Sequence, residues 1–548
     1  MTAISRTAVC DTSPNGAASV PRLLCASPLL ATAMMFAIGG CDRTVPPPTP
    51  LQSKQITSQS AQPSERSSLN RRGQQLSDEA ARRDTTAETD PAMTPTEPPF
   101  DSKPQTIHRP DDQRPQHDDR RLAEAGIRVY ESERLKLYTD MDAEAARALP
   151  PLIDAVYLAW VEYFGELPPA RDGSAFQMTG YLIRDEALFR EAGLVPEDLP
   201  LFEHGRHRRN EFWMREQKYD YFRRHLLIHE ATHCFMTYMP GVSAPVWYIE
   251  GMAEYFATHR IESDGSVHFR VMPTSPEDVA GWGRITAIRD GFAAKQGKTI
   301  RDITDWNPRD FLKPEPYAWS WGLCQFLDAH PRYRERFRKL GSLVQDRAFH
   351  SEVADLFREF EHELNTEWEL FSANLQYGYK ATHAAIDFQS GTPLTPEQPQ
   401  RRIPIVADRG WQSSGVLLEA GQTFEITASG RITLADQPKP WESEPQGITF
   451  RYFDRRPIGL VIGCLHTDAN SATDKPLPVL PTTMRKDFAI GRGCSFTASH
   501  TGTLYLRVND AWNSLDDNRG AVSVTVERSR SDNEAAGKVD RRENTFQN

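Results

Sequence analysis

Residues 225–235 read His-Leu-Leu-Ile-His-Glu-Ala-Thr-His-Cys-Phe, an apolar run without Gly or Pro, and no other stretch constrains the chain as strongly. Such a run predicts a buried helix, in which His229 and His233 lie one turn apart on one face. Two imidazoles so placed can grip a single Zn²⁺. Glu230, beside the first of them, can reach a metal-bound water and take its proton. His225 stands one turn earlier, so His225 and His229 form a second geometrically possible pair. That pairing puts Leu226 where the base is needed, and an aliphatic side chain cannot deprotonate water. His225 is therefore expected to be structural or to face substrate.

A catalytic zinc needs a third protein ligand and one open position. Residues 246–256 form a second helical segment, with Ile249, Met252, Ala253 and Phe256 towards a core and Glu250 and Glu254 one turn apart. Here the sequence resembles the gluzincin metallopeptidases, particularly their peptidase-MA-like branch. Those families carry the third ligand in a Trp-Leu-x-Glu-Gly-x-Ala type helix, which Trp247-Tyr248-Ile249-Glu250-Gly251-Met252-Ala253 matches. The resemblance spans about residues 120–380 and implies that Glu250 joins His229 and His233 on zinc. Glu254 then falls on the same face, where it is expected to hydrogen-bond the free imidazole nitrogen of His229. Related gluzincins often place an oxyanion-stabilising Tyr on a later helix, and Tyr317 sits comparably; Tyr221 and Tyr248 are further candidates. The implied activity is a zinc metallopeptidase that hydrolyses peptide bonds with a zinc-activated water and Glu230 as general base.

The chain is long enough, at 548 residues, for about three domains. It opens with Arg6 and Arg22, an apolar run over 23–38, and then Ile38-Gly39-Gly40-Cys41. This pattern is a secretory signal, and it resembles bacterial lipoprotein signals in which the Cys after two small residues is lipidated. Residues 1–41 are read as that signal, with Cys41 as the lipidation site of an exported, membrane-anchored lipoprotein of the cell envelope. Residues 42–118 are rich in Pro, Ser, Thr, Gln, Arg and Asp, bury too little apolar area to order, and read as a disordered tether. The zinc domain is expected over 119–385, with a Pro/Gln-rich linker over 386–405. Seven cysteines are present, and export permits a disulfide in each downstream region without fixing any pairing.

Strand-like segments at 135–139, 178–183 and 210–214 precede the motif helix, which suits an α+β fold. From 406 to 528 the pattern changes to short alternating strands, an all-β sandwich, followed by a polar tail over 529–548. Within it, Asp510 is followed by Asp517-Asn518, a cluster of hard oxygen donors that suits Ca²⁺. This part resembles the calcium-dependent galactophilic lectins of bacteria, which implies a calcium site of Asp510, the Ser514 carbonyl, Asp517 and Asn518. Asp517 stands where those lectins have Asn, and no His occurs from Arg431 to Ile458, where they place a sugar-contacting one. Carbohydrate binding and protein binding by the sandwich both stay open on these residues.

The expected partners are a peptide or protein substrate, cell-surface carbohydrate and, through the lipid anchor, a membrane. With a net charge of −11 and no basic stripe, a nucleic-acid partner has no support. The rival reading is a surface-attachment protein that binds carbohydrate through the sandwich and uses the zinc domain as scaffold. A retained base at Glu230 favours the enzyme.

Overall fold

Three aromatic residues fix the register of the first sheet. Tyr138, Tyr181 and Trp213 face one another on adjacent strands, with ring centroids 5.6 and 5.2 Å apart. The sheet is built from β1 (Arg128–Glu131), β2 (Leu135–Thr139), β3 (Met178–Ile183), β4 (Gly205–Arg208) and β5 (Glu211–Arg215), in the order β1-β2-β3-β5-β4. Its three central strands are parallel, and both edge strands run antiparallel to their neighbours. The computed structural model describes residues 107–111, 114–437, 439–467 and 482–529. The expected signal, Cys41 and the tether up to residue 106 lie outside the described residues, as does the tail beyond 529.

One face of the sheet packs on α1 (Leu149–Phe164) and on the motif helix α2 (Asp220–Met236), whose residues 225–236 are all buried. Helix α3 (Val246–Ala257) lies against α2 and against α5 (Pro314–Ala329), while α4 (Arg284–Ala293) packs on α5. Gly251 permits the close α3–α5 approach, because a Cβ there would lie 2.7 Å from Cys324 Sγ and 2.8 Å from the Ser320 carbonyl oxygen. Helix α6 (Glu361–Asn374) packs on α4 and α5.

The C-terminal part is a sandwich of two antiparallel sheets. One has the order β11-β8-β13-β6, made of β6 (Gln400–Val406), β8 (Thr423–Ser429), β11 (Gly493–Thr497) and β13 (Ala521–Arg528). The other has the order β9-β10-β12-β7, made of β7 (Gln412–Leu418), β9 (Gln446–Phe453), β10 (Arg456–His466) and β12 (Gly502–Val508). Alternation along the strands turns Val416, Phe424, Ile426, Val461, Leu506, Val508, Val524 and Val526 into the space between them. The opposite face of the second sheet is not solvated. Trp411, Ile462, Cys464 and Tyr505 belong to the same apolar cluster as the helices.

Several expectations shift. Residues 386–405, expected as a linker, contribute most of β6, which pairs with β13 at the sheet edge. Pro404 hid this strand, and an edge is where a strand tolerates Pro. The described part of the expected tether, 107–111 and 114–118, packs on the first domain through polar groups. Arg114 Nη1 donates to Gln177 Oε1 at 2.6 Å, and His117 Nε2 lies 2.8 Å from the Tyr181 hydroxyl. Polar docking of this kind leaves no apolar signature in composition. The disulfides that export would permit do not form among the described cysteines: Cys234, Cys324 and Cys464 are buried thiols, and Cys494 is buried in β11. No helix among the described residues is long and apolar enough to cross a membrane.

Candidate metal centre

Helices α2 and α3 bring three groups to one point. His233 Nε2 lies 3.1 Å from His229 Nε2 and 3.1 Å from Glu250 Oε2, and His229 Nε2 lies 3.4 Å from the same oxygen. Donor atoms about 2.0–2.1 Å from a tetrahedral ion stand about 3.3 Å from each other, so all three edges suit one Zn²⁺. Two imidazole nitrogens this close, both buried, are mutually repulsive unless a proton or a cation lies between them. It is the Nε2 atoms that converge; the Nδ1 atoms point away and have no hydrogen-bond partner among the described residues. The chemistry and spacing of this donor set therefore fit a zinc ion.

Electrostatics reinforce the fit. Burial works against a charged His229, yet the carboxylates of Glu250, Glu254 and Glu230 together raise its pKa to about 9. Burial likewise opposes a charged Glu250, and His233 and His229 outweigh it, holding the carboxyl far below its ordinary range. His233 moves the other way, lowered by burial.

Glu254 is placed less simply than the resemblance implied. Its Oε1 approaches His229 Nδ1 at 3.5 Å, without hydrogen-bond alignment. Its main partners are Arg284, which donates to both carboxylate oxygens at 2.9 and 3.1 Å, His225 Nε2 at 3.1 Å and Trp282 Nε1 at 3.3 Å. Burial opposes ionisation of Glu254, but Arg284 and then His225 keep it ionised. His225 spends its other nitrogen on the Ala257 carbonyl, 3.0 Å away. His225, His229 and Glu254 do form a second group able to hold an ion. There, however, a guanidinium already occupies the carboxylate. His225 is structural, and the first group is the open one.

Glu230 is buried beside this group, and the edge strand β4 reaches it. Gly205 and His207, two residues apart, face α2 together. A Cβ at 205 would lie 2.4 Å from Glu230 Oε1, so a larger residue here would displace that carboxylate. His207 Nδ1 lies 3.7 Å from Glu230 Oε2, and its ring stacks on His233 at 4.5 Å. Neither Gly205 nor His207, nor Arg284 and Trp282, is among the residues expected from sequence. β4 is short and polar, and its one usable signal is a His two residues from a Gly just before a strand.

Tyr317, on α5, faces the centre. Its ring lies 6.0 Å from that of His229, over the Arg284 guanidinium at 5.7 Å. Burial, then Glu250, Glu230 and Glu254, push its phenol well above the ordinary range, so it stays protonated. Tyr248 is fully buried against Phe337 and Phe349, and Tyr221 stacks on His259. Both pack in the core as structural aromatics.

In the sandwich, the loop after β12 gathers the other predicted donors. Asp510 is nearly inaccessible, and burial raises its pKa to about 6, with Asp517 adding repulsion. Asp517 Oδ1 and Asn518 Oδ1 are buried without a hydrogen-bond partner among the described residues, and Asp516 and Asp436 add further negative charge. Ser514 opens the turn Leu515–Asp517 in the same loop. Such oxygens beside a buried carboxylate fit a hard cation such as Ca²⁺.

No family model matches the chain, and no curated protein matches it. Among solved structures, a PllA-like lectin, the EclA N-terminal domain, is 21% identical, covering 24% of this chain and 96% of its own at a TM-score of 0.18. IMPa from Pseudomonas aeruginosa, in complex with an O-glycopeptide, is 12% identical over 47% of this chain and 25% of its own, at a TM-score of 0.14. The IMPa metallopeptidase in complex with T-antigen gives 11%, 54% and 27%, again at 0.14. The chain thus spans about a quarter of the IMPa length. These are weak likenesses to a lectin and to a metallopeptidase.

Proposed function

We propose that this chain is an exported, membrane-tethered zinc peptidase of the gluzincin type, carrying a calcium-holding, lectin-like sandwich. The observation that carries the reading is the convergence of His229, His233 and Glu250, with Glu230 and the edge strand β4 alongside. His229, His233 and Glu250 would hold the metal. A bound zinc supplies an acidified water and a Lewis acid for the scissile carbonyl.

The remaining work falls to the chain's own groups. Glu230 takes the proton of the attacking water and returns it to the leaving amine. Tyr317, kept protonated by its acidic surroundings, donates to the oxygen that gains charge as the carbonyl becomes tetrahedral. The free side of β4 accepts an extended peptide as an added strand, which sets the scissile bond beside Glu230. Arg284 fixes Glu254, whose negative charge stands behind His229. The sandwich concentrates the enzyme near carbohydrate-bearing surfaces, and Cys41 ties it to a membrane.

Mass-spectrometric cleavage of a mixed peptide library, comparing wild type with Glu230→Gln, tests the reading. The variant is expected to retain zinc and lose hydrolysis by about 10²–10⁴-fold. Full activity in that variant would overturn the assignment, and zinc binding with no cleavage by wild type would favour a scaffold.

The orphaned oxygens of Asp517 and Asn518 support a second role, attachment to carbohydrate through calcium. Calcium-dependent retention on a galactoside or other polysaccharide matrix would support it. No retention across a broad glycan panel would remove it.

A further inference from the structure

Where the outer face of the sandwich meets the helices, a cavity of about 390 Å³ opens between α4, the end of α6 and strand β12. That volume lies within the usual range of small-molecule sites, about 300–1,000 Å³. It belongs to neither site described above: its lining shares no residue with the metal centre or with the loop donors.

Its floor carries a charge that no ion pair among the described residues answers. Arg507 is only 2% exposed, yet no carboxylate lies within ion-pair distance of it among the described residues. It donates instead to the backbone carbonyls of Val508 at 3.2 Å and Asp510 at 2.6 Å. Its guanidinium stacks 3.9 Å from the Trp512 ring centroid and 5.7 Å from that of Trp411. Burial pulls its pKa down to about 10, while Asp510 and Asp487 act in the opposite direction. A cation buried without an anion is costly, and proteins usually answer such a group with a carboxylate or a ligand.

The remaining charges on the lining do not answer it. Asp487 is paired with Arg456 at 3.1 Å, and Arg485 with Glu369 at 3.2 Å. Arg289, on the exposed side of α4, forms no ion pair among the described residues. Two cations from different elements therefore line one cavity without an ion-pair partner among the described residues. Around them stand the Asn374 carboxamide, the exposed carboxylate of Asp454 and the two indoles. These are acceptors and apolar edges of the kind that meet the hydroxyls and C–H faces of a sugar.

The geometry points to a binding site for a small sugar acid, its carboxylate on Arg507 and Arg289 and its hydroxyls towards Asn374 and Asp454. None of the proposed metal ligands lines the site, although Arg507 donates to the Asp510 carbonyl. An acidic sugar held here would give the chain a second, metal-free contact with glycans beside the calcium loop.

The two lining tryptophans provide the readout. Protein stripped of metals on a chelating resin is titrated with glucuronate, N-acetylneuraminate, galactose and glutamate, following indole fluorescence and calorimetric heat. Saturable binding of the sugar acids is expected, with neither galactose nor glutamate binding. Arg289→Ala, on an exposed helix face, is expected to weaken that binding by about tenfold, as the loss of a charged hydrogen bond would. Arg507→Met is expected to abolish it, and if that variant does not fold, Arg289→Ala carries the test alone. No binding of either sugar acid would overturn the proposal. Equal binding of galactose, binding of glutamate in place of the sugar acids, or an unchanged affinity in Arg289→Ala would also overturn it.

Discussion

The two candidate metal sites of this molecule are built in opposite ways. The site on α2 and α3 takes its donors from two rigid helices and backs them with further buried groups: Arg284, Trp282 and His225 all bind Glu254, which faces His229. The loop after β12 takes its donors from one short segment, and two of its oxygens have no hydrogen-bond partner among the described residues. The first is set before an ion arrives. The second keeps two buried oxygens that an ion would satisfy. The first design suits chemistry, which needs fixed geometry, and the second suits attachment, which needs affinity.

The comparison breaks most sharply at Glu250. Glu250→Gln removes the anionic donor that both histidines share, so bound zinc and peptide cleavage should be lost together, while calcium binding stays unchanged. Metal analysis by mass spectrometry checks this. Loss of both metals would show that the two sites are not independent.

Glu254→Gln tests whether the helical site is truly fixed in advance. Removing one partner of a buried ion pair costs about 3–5 kcal/mol, because Arg284 is left uncompensated. Urea unfolding of the metal-free protein should show that loss. The double variant Glu254→Gln with Arg284→Met should recover part of it. A metal-free loss below about 1 kcal/mol would place Glu254 at an exposed pair, where such values belong.

How far the sequence reaches depends on where the signal sits. Helix α2 was legible because a long apolar run without Gly or Pro admits little else, and α3 because Glu250 falls in register with a known helix pattern. Tyr317 was legible only through resemblance, since nothing in its own spacing sets it near His229. Arg284 was not legible. It lies 30 residues beyond Glu254, and a single Arg on an amphipathic helix looks like any solvated cation. Strand β4 was missed because its residues Gly-Arg-His-Arg show no apolar alternation, and β6 because Pro404 interrupts it. Contacts made by polar groups between distant segments leave no period to read.

For the loop site, Asp510→Asn should abolish the stabilisation that calcium gives. Free calcium at a hundred times its Kd adds about 2.7 kcal/mol to a fold that binds it at one site. A melting curve with and without calcium should show that gain in wild type and none in the variant. Zinc content should be unaffected. A calcium-dependent shift that survives in Asp510→Asn would move the site elsewhere.

The smallest effect concerns acid. His259, beside the helical site, is 3% exposed and stacks on Tyr221 at 4.7 Å. Its Nε2 accepts from Arg224 at 3.2 Å, and its Nδ1 donates to the Ala257 carbonyl at 2.9 Å, so the ring is held neutral. Burial lowers its pKa to about 3, although the Ala257 carbonyl opposes the shift. An unfolded His takes a proton near pH 6.5, so below about that value the unfolded chain binds a proton the folded chain refuses. Stability is therefore full above about pH 6.5, falls as pH drops through this window, and levels off below pH 3. His259→Gln, which can keep both hydrogen bonds without titrating, should cost about 1 kcal/mol at pH 7 and flatten the decline. Chemical denaturation at several pH values measures both slopes, and an acid limb as steep in the variant as in wild type would show that other groups set it.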